Sequence, residues 1–201
     1  MTNVITREHI DRSMSYAAFR DLISSLLIER KTTGPKQSKE LVQYTRLNVK
    51  LMDRIDKQTV IIPELMEALN SIKEQQIWVG LVEAWCGDVA QCLPPIAKMA
   101  VSVPKVSMRL LLRDEHPEVM NAYLTKSSRS IPKIIALKKD TLEELWTWGP
   151  RPEPAQKLFF DLRKKDEPFP VIAEAVQQWY NEDNNQTLQR EILDILLRTD
   201  A

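Results

Sequence analysis

A short apolar run, Ile77-Trp78-Val79-Gly80-Leu81-Val82, ends at Glu83-Ala84-Trp85-Cys86 and gives way to a helical period through Ala90, Leu93, Ile96, Ala97 and Ala100. A run of this kind suits a strand covered on both faces. Cys86 therefore stands where a buried strand turns into a helix. Pro94 and Pro95 fall inside that helix and predict a kink.

The rest of the chain is organised around this unit. Val106 to Leu112 and Ile131 to Leu137 read as further strands, Leu142 to Trp148 as a hairpin partner, and His116-Pro117 opens a short helix reaching Leu124. The order β, α, β, α, β, β predicts an α/β fold, a mixed sheet of four or five strands flanked by helices. Ahead of it, Phe19, Leu22, Ile23, Leu26 and Leu27 form one helical face. After a break at Gly34-Pro35, Ser38 stands as N-cap to a second face of Leu41, Tyr44, Leu47, Leu51 and Ile55. Pro63 opens a third helix. Three more helices follow the sheet, from Pro154, Val171 and Thr187. The division predicted is an N-terminal helical extension over 1–58, a core domain over 59–165 and C-terminal helices over 166–201. The apolar faces of the leading helices suit either a dimer surface or a cover for the sheet, so the oligomeric state stays open.

Lys plus Arg equals Asp plus Glu at 28 each, so no overall field draws in nucleic acid or an anionic membrane. No apolar run has the length of a bilayer span, and the first thirty residues lack the pattern of a secretory signal. A cytoplasmic location is the expectation. Two cysteines in such a chain are packed thiols or a redox site rather than a disulfide scaffold.

A cysteine at a helix start lies at the positive end of the helix dipole, beside amides that no carbonyl has claimed. Such positions lower a thiol pKa from about 8.5 into a range of roughly 3.5 to 7.5, so the Cys86 thiolate is expected to be favoured. The plainer reading is a small buried hydrophobe.

Trp85-Cys86-Gly87 at a strand-to-helix turn, Pro94 eight residues after the cysteine, and an Ile131-Pro132 pair opening a later strand resemble the thioredoxin superfamily. The likeness extends to a bacterial branch marked by W-C-G-D, R-S-I-P-K and W-G-P-R-P, here Trp85 to Asp88, Arg129 to Lys133 and Trp148 to Pro152. The resemblance implies a thioredoxin-like fold, with Cys86 as attacking thiol, a cis Pro132 facing it, and the Ile131 backbone pairing with a bound substrate chain. It implies thiols and disulfides, of proteins or small molecules, as partners, with no bound cofactor.

The departures from that pattern bear on function. Val89 stands where a dithiol thioredoxin has its second cysteine. Cys92 lies six residues along the helix, a rise of about 9 Å, whereas bridged Cα atoms lie within about 7 Å. Gly80 occupies the place of the family's buried aspartate. Glu83 replaces that carboxylate if it turns inward, or faces solvent at the strand end. Asp88 suits a helix start but opposes a neighbouring thiolate. Arg129 either meets the thiolate or an anionic partner such as a glutathione carboxylate, or is an ordinary loop arginine. His9 and His116 are far apart in sequence, and no metal site is expected. Two readings result: a thiol-disulfide oxidoreductase working through Cys86 alone, with glutathione as co-substrate, or a redox-inactive module that binds a peptide or protein.

Overall fold

The computed structural model describes residues 4–199. All seven residues of β1 (Gln76–Val82) are buried, which places this strand at the centre of the molecule. It pairs in parallel with β2 (Val106–Leu112) and antiparallel with β3 (Lys133–Lys138), and β3 pairs antiparallel with β4 (Glu144–Trp148). The sheet has four strands in the order β2-β1-β3-β4. The fully buried Trp78 of β1 meets Trp146 of β4 edge to face, with ring centroids 5.0 Å apart. That contact ties the first and last strands through β3.

The parallel connection from β1 to β2 runs through α5 (Gly87–Val101), which begins directly after Cys86. The helix is continuous through Pro94 and Pro95. Those prolines remove the donors that would have reached the carbonyls of Ala90 and Gln91. The short α6 (Pro117–Ala122) links β2 to β3.

Among the described residues four helices precede the sheet: α1 (Arg7–Arg12), α2 (Tyr16–Ile28), α3 (Lys39–Gln58) and α4 (Pro63–Ser71). They cover the core. The first two lie against β2, and α3 lies along α5. Met14 exchanges backbone hydrogen bonds with Leu110, at 3.0 and 2.8 Å, so part of the outer edge of β2 is paired within the chain. Ser38 caps α3 by accepting from the Leu41 amide at 3.1 Å. After the sheet come α7 (Glu153–Lys164), α8 (Phe169–Asp183) and α9 (Gln186–Thr199), with α9 packed on α4 and β4. Among the described residues no helix is long and apolar enough to cross a membrane.

One expectation is corrected by α3. Its apolar period is helical, but the buried side carries Val42, Thr45, Met52 and Ile55 rather than Leu41, Tyr44 and Leu47. Tyr44 is 39% exposed and Leu47 52% exposed. The helix presents the side carrying Val42 and Met52 to the core, one residue or about 100° away from the predicted face. The residues left over line an open cleft.

Candidate active site

Cys86 is the N-cap of α5, with extended backbone angles of φ −84° and ψ 120°. Its amide donates to the Glu83 carbonyl at 3.2 Å, which closes the turn out of β1. The half-buried thiol donates to the Ile131 carbonyl at 3.3 Å. The Ile131–Pro132 peptide bond is cis, so this proline and Cys86 meet where the loop before β3 crosses the start of α5.

The Trp148 to Pro152 segment closes the site from the other side. Gly149 has φ +109°, and a Cβ there would stand 2.3 Å from the Pro132 carbonyl oxygen. Only glycine meets both demands. The chain then delivers Arg151 onto Asp88: Nε reaches Oδ1 at 2.8 Å and a terminal nitrogen reaches Oδ2 at 2.6 Å. The guanidinium also lies 4.1 Å from the Phe159 ring centre. The Tyr180 hydroxyl of α8 donates to Asp88 Oδ1 at 3.0 Å and stands 3.4 Å from the Cys92 sulfur. Arg151 and Tyr180 are thus part of the site, and sequence reasoning assigned neither a role. Arg151 lies within a quoted motif, whereas nothing local to Tyr180 points to Cys86.

This environment works against the expected thiolate. Burial and the Asp88 carboxylate push the Cys86 thiol up to about 12, against weaker pulls from the Val89 amide, Arg151 and the Asp88 amide. The free amides at the helix start do act in the anticipated direction. They are outweighed by desolvation. Burial likewise raises the Asp88 carboxyl, with Arg151 and Tyr180 opposing. Cys92 is fully buried, and burial raises its thiol far above the ordinary value.

Glu83 turns inward and is fully buried. It accepts from the Thr33 hydroxyl and, at 2.9 Å, from the Asp114 amide. Thr33 in turn accepts from the Ala84 amide at 2.8 Å, so the loop before α3 is sewn onto the strand end. At Gly80, where the sequence pattern of the family would place an aspartate, a Cβ would lie 2.8 Å from Leu110 Cδ2, so a side chain there requires the end of Leu110 to move aside. Burial raises the Glu83 carboxyl, while Thr33 and the Asp114 amide pull it back. The folded chain therefore holds this proton more tightly than the unfolded chain. Its contribution to stability falls as pH rises from about 4.3 through the folded value. Glu83→Gln removes that dependence. The difference in Tm between variant and wild type should move in the variant's favour between about pH 4 and 8. A constant difference across that range would show that Glu83 titrates normally.

Trp85 carries the Arg113 guanidinium over its ring at 4.8 Å. Gly87 is half-buried, and a Cβ there would meet nothing within 4 Å. Arg129 is exposed and donates to Asn121 at 3.0 Å. Cys86, Trp85, Arg129 and Arg151 all line one cleft of about 990 Å³. Its walls include Tyr44, Leu47 and Leu51 of α3 and Phe169 and Val176 of α8. Gln91, only 3% exposed, also lines it, and its side-chain nitrogen has no hydrogen-bond partner among the described residues.

The two histidines, distant in sequence, are neighbours in the fold, with ring centroids 5.5 Å apart. Sequence separation was the wrong measure, because α1 packs beside β2 and brings His9 to the loop that leaves it.

Comparison with known proteins agrees with this fold. The chain is similar over its length to a protein of unknown function from Pseudomonas aeruginosa, at 14% identity with 96% of each chain covered and a TM-score of 0.61. It is also similar to an HIV epitope scaffold, at 15% identity, covering 91% of this chain and 98% of that one with a TM-score of 0.53. These likenesses concern the fold. No curated protein matches the sequence. The family model described as thioredoxin matches residues 34–167, from the loop that holds Glu83 to the end of α7, and so spans every strand and Cys86 itself: the chain belongs to the thioredoxin family.

Proposed function

We propose that the protein exchanges thiols and disulfides through Cys86 alone. The observation that carries this reading is the Cys86 thiol donating to the Ile131 carbonyl at 3.3 Å, beside a cis proline and at the wall of an open cleft. A peptide substrate that donates its own N–H to that carbonyl displaces the thiol. The thiol form then loses its acceptor, which favours ionisation at the moment of binding. The thiolate attacks one sulfur of the substrate disulfide. A bond forms between that sulfur and Cys86, and the second substrate sulfur leaves as a thiolate and takes up a proton. An external thiol such as glutathione, as its thiolate, attacks the substrate sulfur of the mixed disulfide: the bond to Cys86 breaks, a glutathione–substrate disulfide leaves, and Cys86 departs as a thiolate that takes up a proton. Val89 offers no internal alternative.

In this reading Trp85, Gly87 and Asp88 shape the thiol's surroundings, Ile131 and Pro132 receive the substrate chain, and Arg129 meets an anionic end. The three segments of the W-C-G-D, R-S-I-P-K and W-G-P-R-P branch meet at Cys86, which supports assigning the chain to that branch. Two free cysteines suit a reducing, cytoplasmic setting.

A second reading, a redox-inactive peptide-binding module, is favoured by the thiol's rise to about 12 and by Val89. Exposure to glutathione disulfide separates the two. Peptide mapping by mass spectrometry should find one glutathione on Cys86 and none on Cys92, forming faster as pH climbs from about 7 to 9. A Cys86 that stays unmodified throughout that range leaves the binding module.

A further inference from the structure

We propose that His9, His116 and Glu118 form a binding site for a divalent transition metal of the zinc class, which clamps α1 to the start of α6. The cluster lies outside the Cys86 cleft and draws its ligands from segments 109 residues apart. His9 Nε2 stands 3.0 Å from Glu118 Oε1, and His116 Nδ1 stands 3.5 Å from the same oxygen. The three donor atoms all fall within 4.8 Å of one another. Two donors bound to one zinc at about 2.0–2.1 Å in tetrahedral geometry lie about 3.3–3.4 Å apart. The two histidine–glutamate separations bracket that edge, and the third lies within 4.8 Å, so an ion enters once side-chain adjustment draws the two imidazoles to the same edge length.

The donor set fits the class. Two imidazoles and one carboxylate suit zinc rather than calcium or magnesium, which take oxygen ligands. The imidazoles are largely shielded, at 18% and 16% side-chain exposure, while Glu118 at 54% leaves a coordination position open to water. A support for the ligand is already in place. His9 Nδ1 lies 2.9 Å from the Thr6 hydroxyl and accepts from the Thr6 amide at 3.1 Å. When the metal takes the Nε2 lone pair, the ring proton moves to Nδ1 and is donated to the Thr6 hydroxyl. The Thr6 amide gives up its acceptor in exchange. Metal-bound histidines commonly hold their other nitrogen in this way.

The site would also bear on the cleft. His116 follows Arg113, which stacks on Trp85, and Asp114, whose amide holds Glu83. A metal there would fix the loop carrying both contacts.

The test uses the tag-free 201-residue chain, because its two histidines both belong to the cluster. Zinc chloride is titrated in competition with a chromogenic chelator, and the imidazole signals are followed by NMR. One zinc per chain should bind, and both histidine signals should shift together as the first equivalent is added. His9→Gln and His116→Gln should each weaken binding at least about tenfold, and Thr6→Val should weaken it about tenfold. Cys86→Ser should leave the affinity unchanged. Histidine signals that stay fixed in wild-type protein under excess zinc would overturn the proposal, as would binding lost with Cys86→Ser and kept in the histidine variants. The wild-type NMR arm decides the matter even where a variant fails to fold.

Discussion

Val89→Cys should give the protein an internal disulfide and, with it, turnover driven by a thioredoxin reductase. Position 89 lies three residues beyond the N-cap Cys86 and one turn along α5, where Cα atoms are about 5–6 Å apart. That is bridging distance. Val89 is 1% exposed, so the replacement leaves the new thiol buried behind Cys86, shielded as a resolving cysteine should be. Loss of buried apolar surface costs about 1 kcal/mol, small against the stability of an ordinary domain. Mild oxidation should remove two free thiols within the monomer, and disulfide substrates should then be reduced without added glutathione. The turnover will be slow, since Gly80 supplies no carboxylate and Glu83 is committed to Thr33 and Asp114. A folded variant that keeps both thiols free under oxidant would contradict the placement of Cys86 at the helix start.

The second large effect is on the thiol itself, through the ion pair beside it. Asp88 raises the Cys86 pKa and Arg151 lowers it, and in the wild-type chain the carboxylate dominates. Asp88→Asn keeps an acceptor oxygen for Arg151 Nε and Tyr180 while removing the negative charge. The guanidinium is then unopposed. A single cation at this range lowers a pKa by about 1–3 units. With a fall of about two, the thiolate fraction rises about 100-fold, and weaker intrinsic nucleophilicity takes back about tenfold. Iodoacetamide labelling of Cys86 near pH 7.5 should therefore accelerate about tenfold. Arg151→Gln should act in the opposite direction, slowing the same reaction. It should also destabilise the fold by about 3 kcal/mol, because both members of the pair are nearly buried, at 11% and 12% side-chain exposure, and Asp88 would keep only the Tyr180 hydroxyl in place of its counter-charge. Equal labelling rates in folded Asp88→Asn and wild-type protein would show that this ion pair does not govern the thiol.

The opposing effects of this pair mark the boundary between what could be read in the sequence and what could not. Cys86 at a strand-to-helix junction was legible, because an apolar run followed by a helical period is a local pattern. So were the Ser38 cap, Pro63 at the first turn of α4 and the hairpin of β3 and β4, each fixed by residues a few positions apart. The family was legible too, through short motifs in a fixed order. The phase of α3 was not. Its period is intrinsic to the helix, but the side that becomes core depends on where α5 lies, and the leftover Tyr44 and Leu47 became a cleft wall. Glu83 offered two orientations until Thr33, fifty residues earlier, was seen to hold it inward. His9 and His116 became neighbours only when α1 settled beside β2.

The protonation of Cys86 separates the two most clearly. The sequence by itself determined that a cysteine would cap α5 and face free amides, since that follows from local backbone geometry. The opposition of Asp88, two residues on, was legible as well, but only the tertiary structure decided that the thiol's pKa rises rather than falls, because the desolvation that leads the shift belongs to the packed whole and the counter-charge of Arg151 comes from 63 residues beyond Asp88.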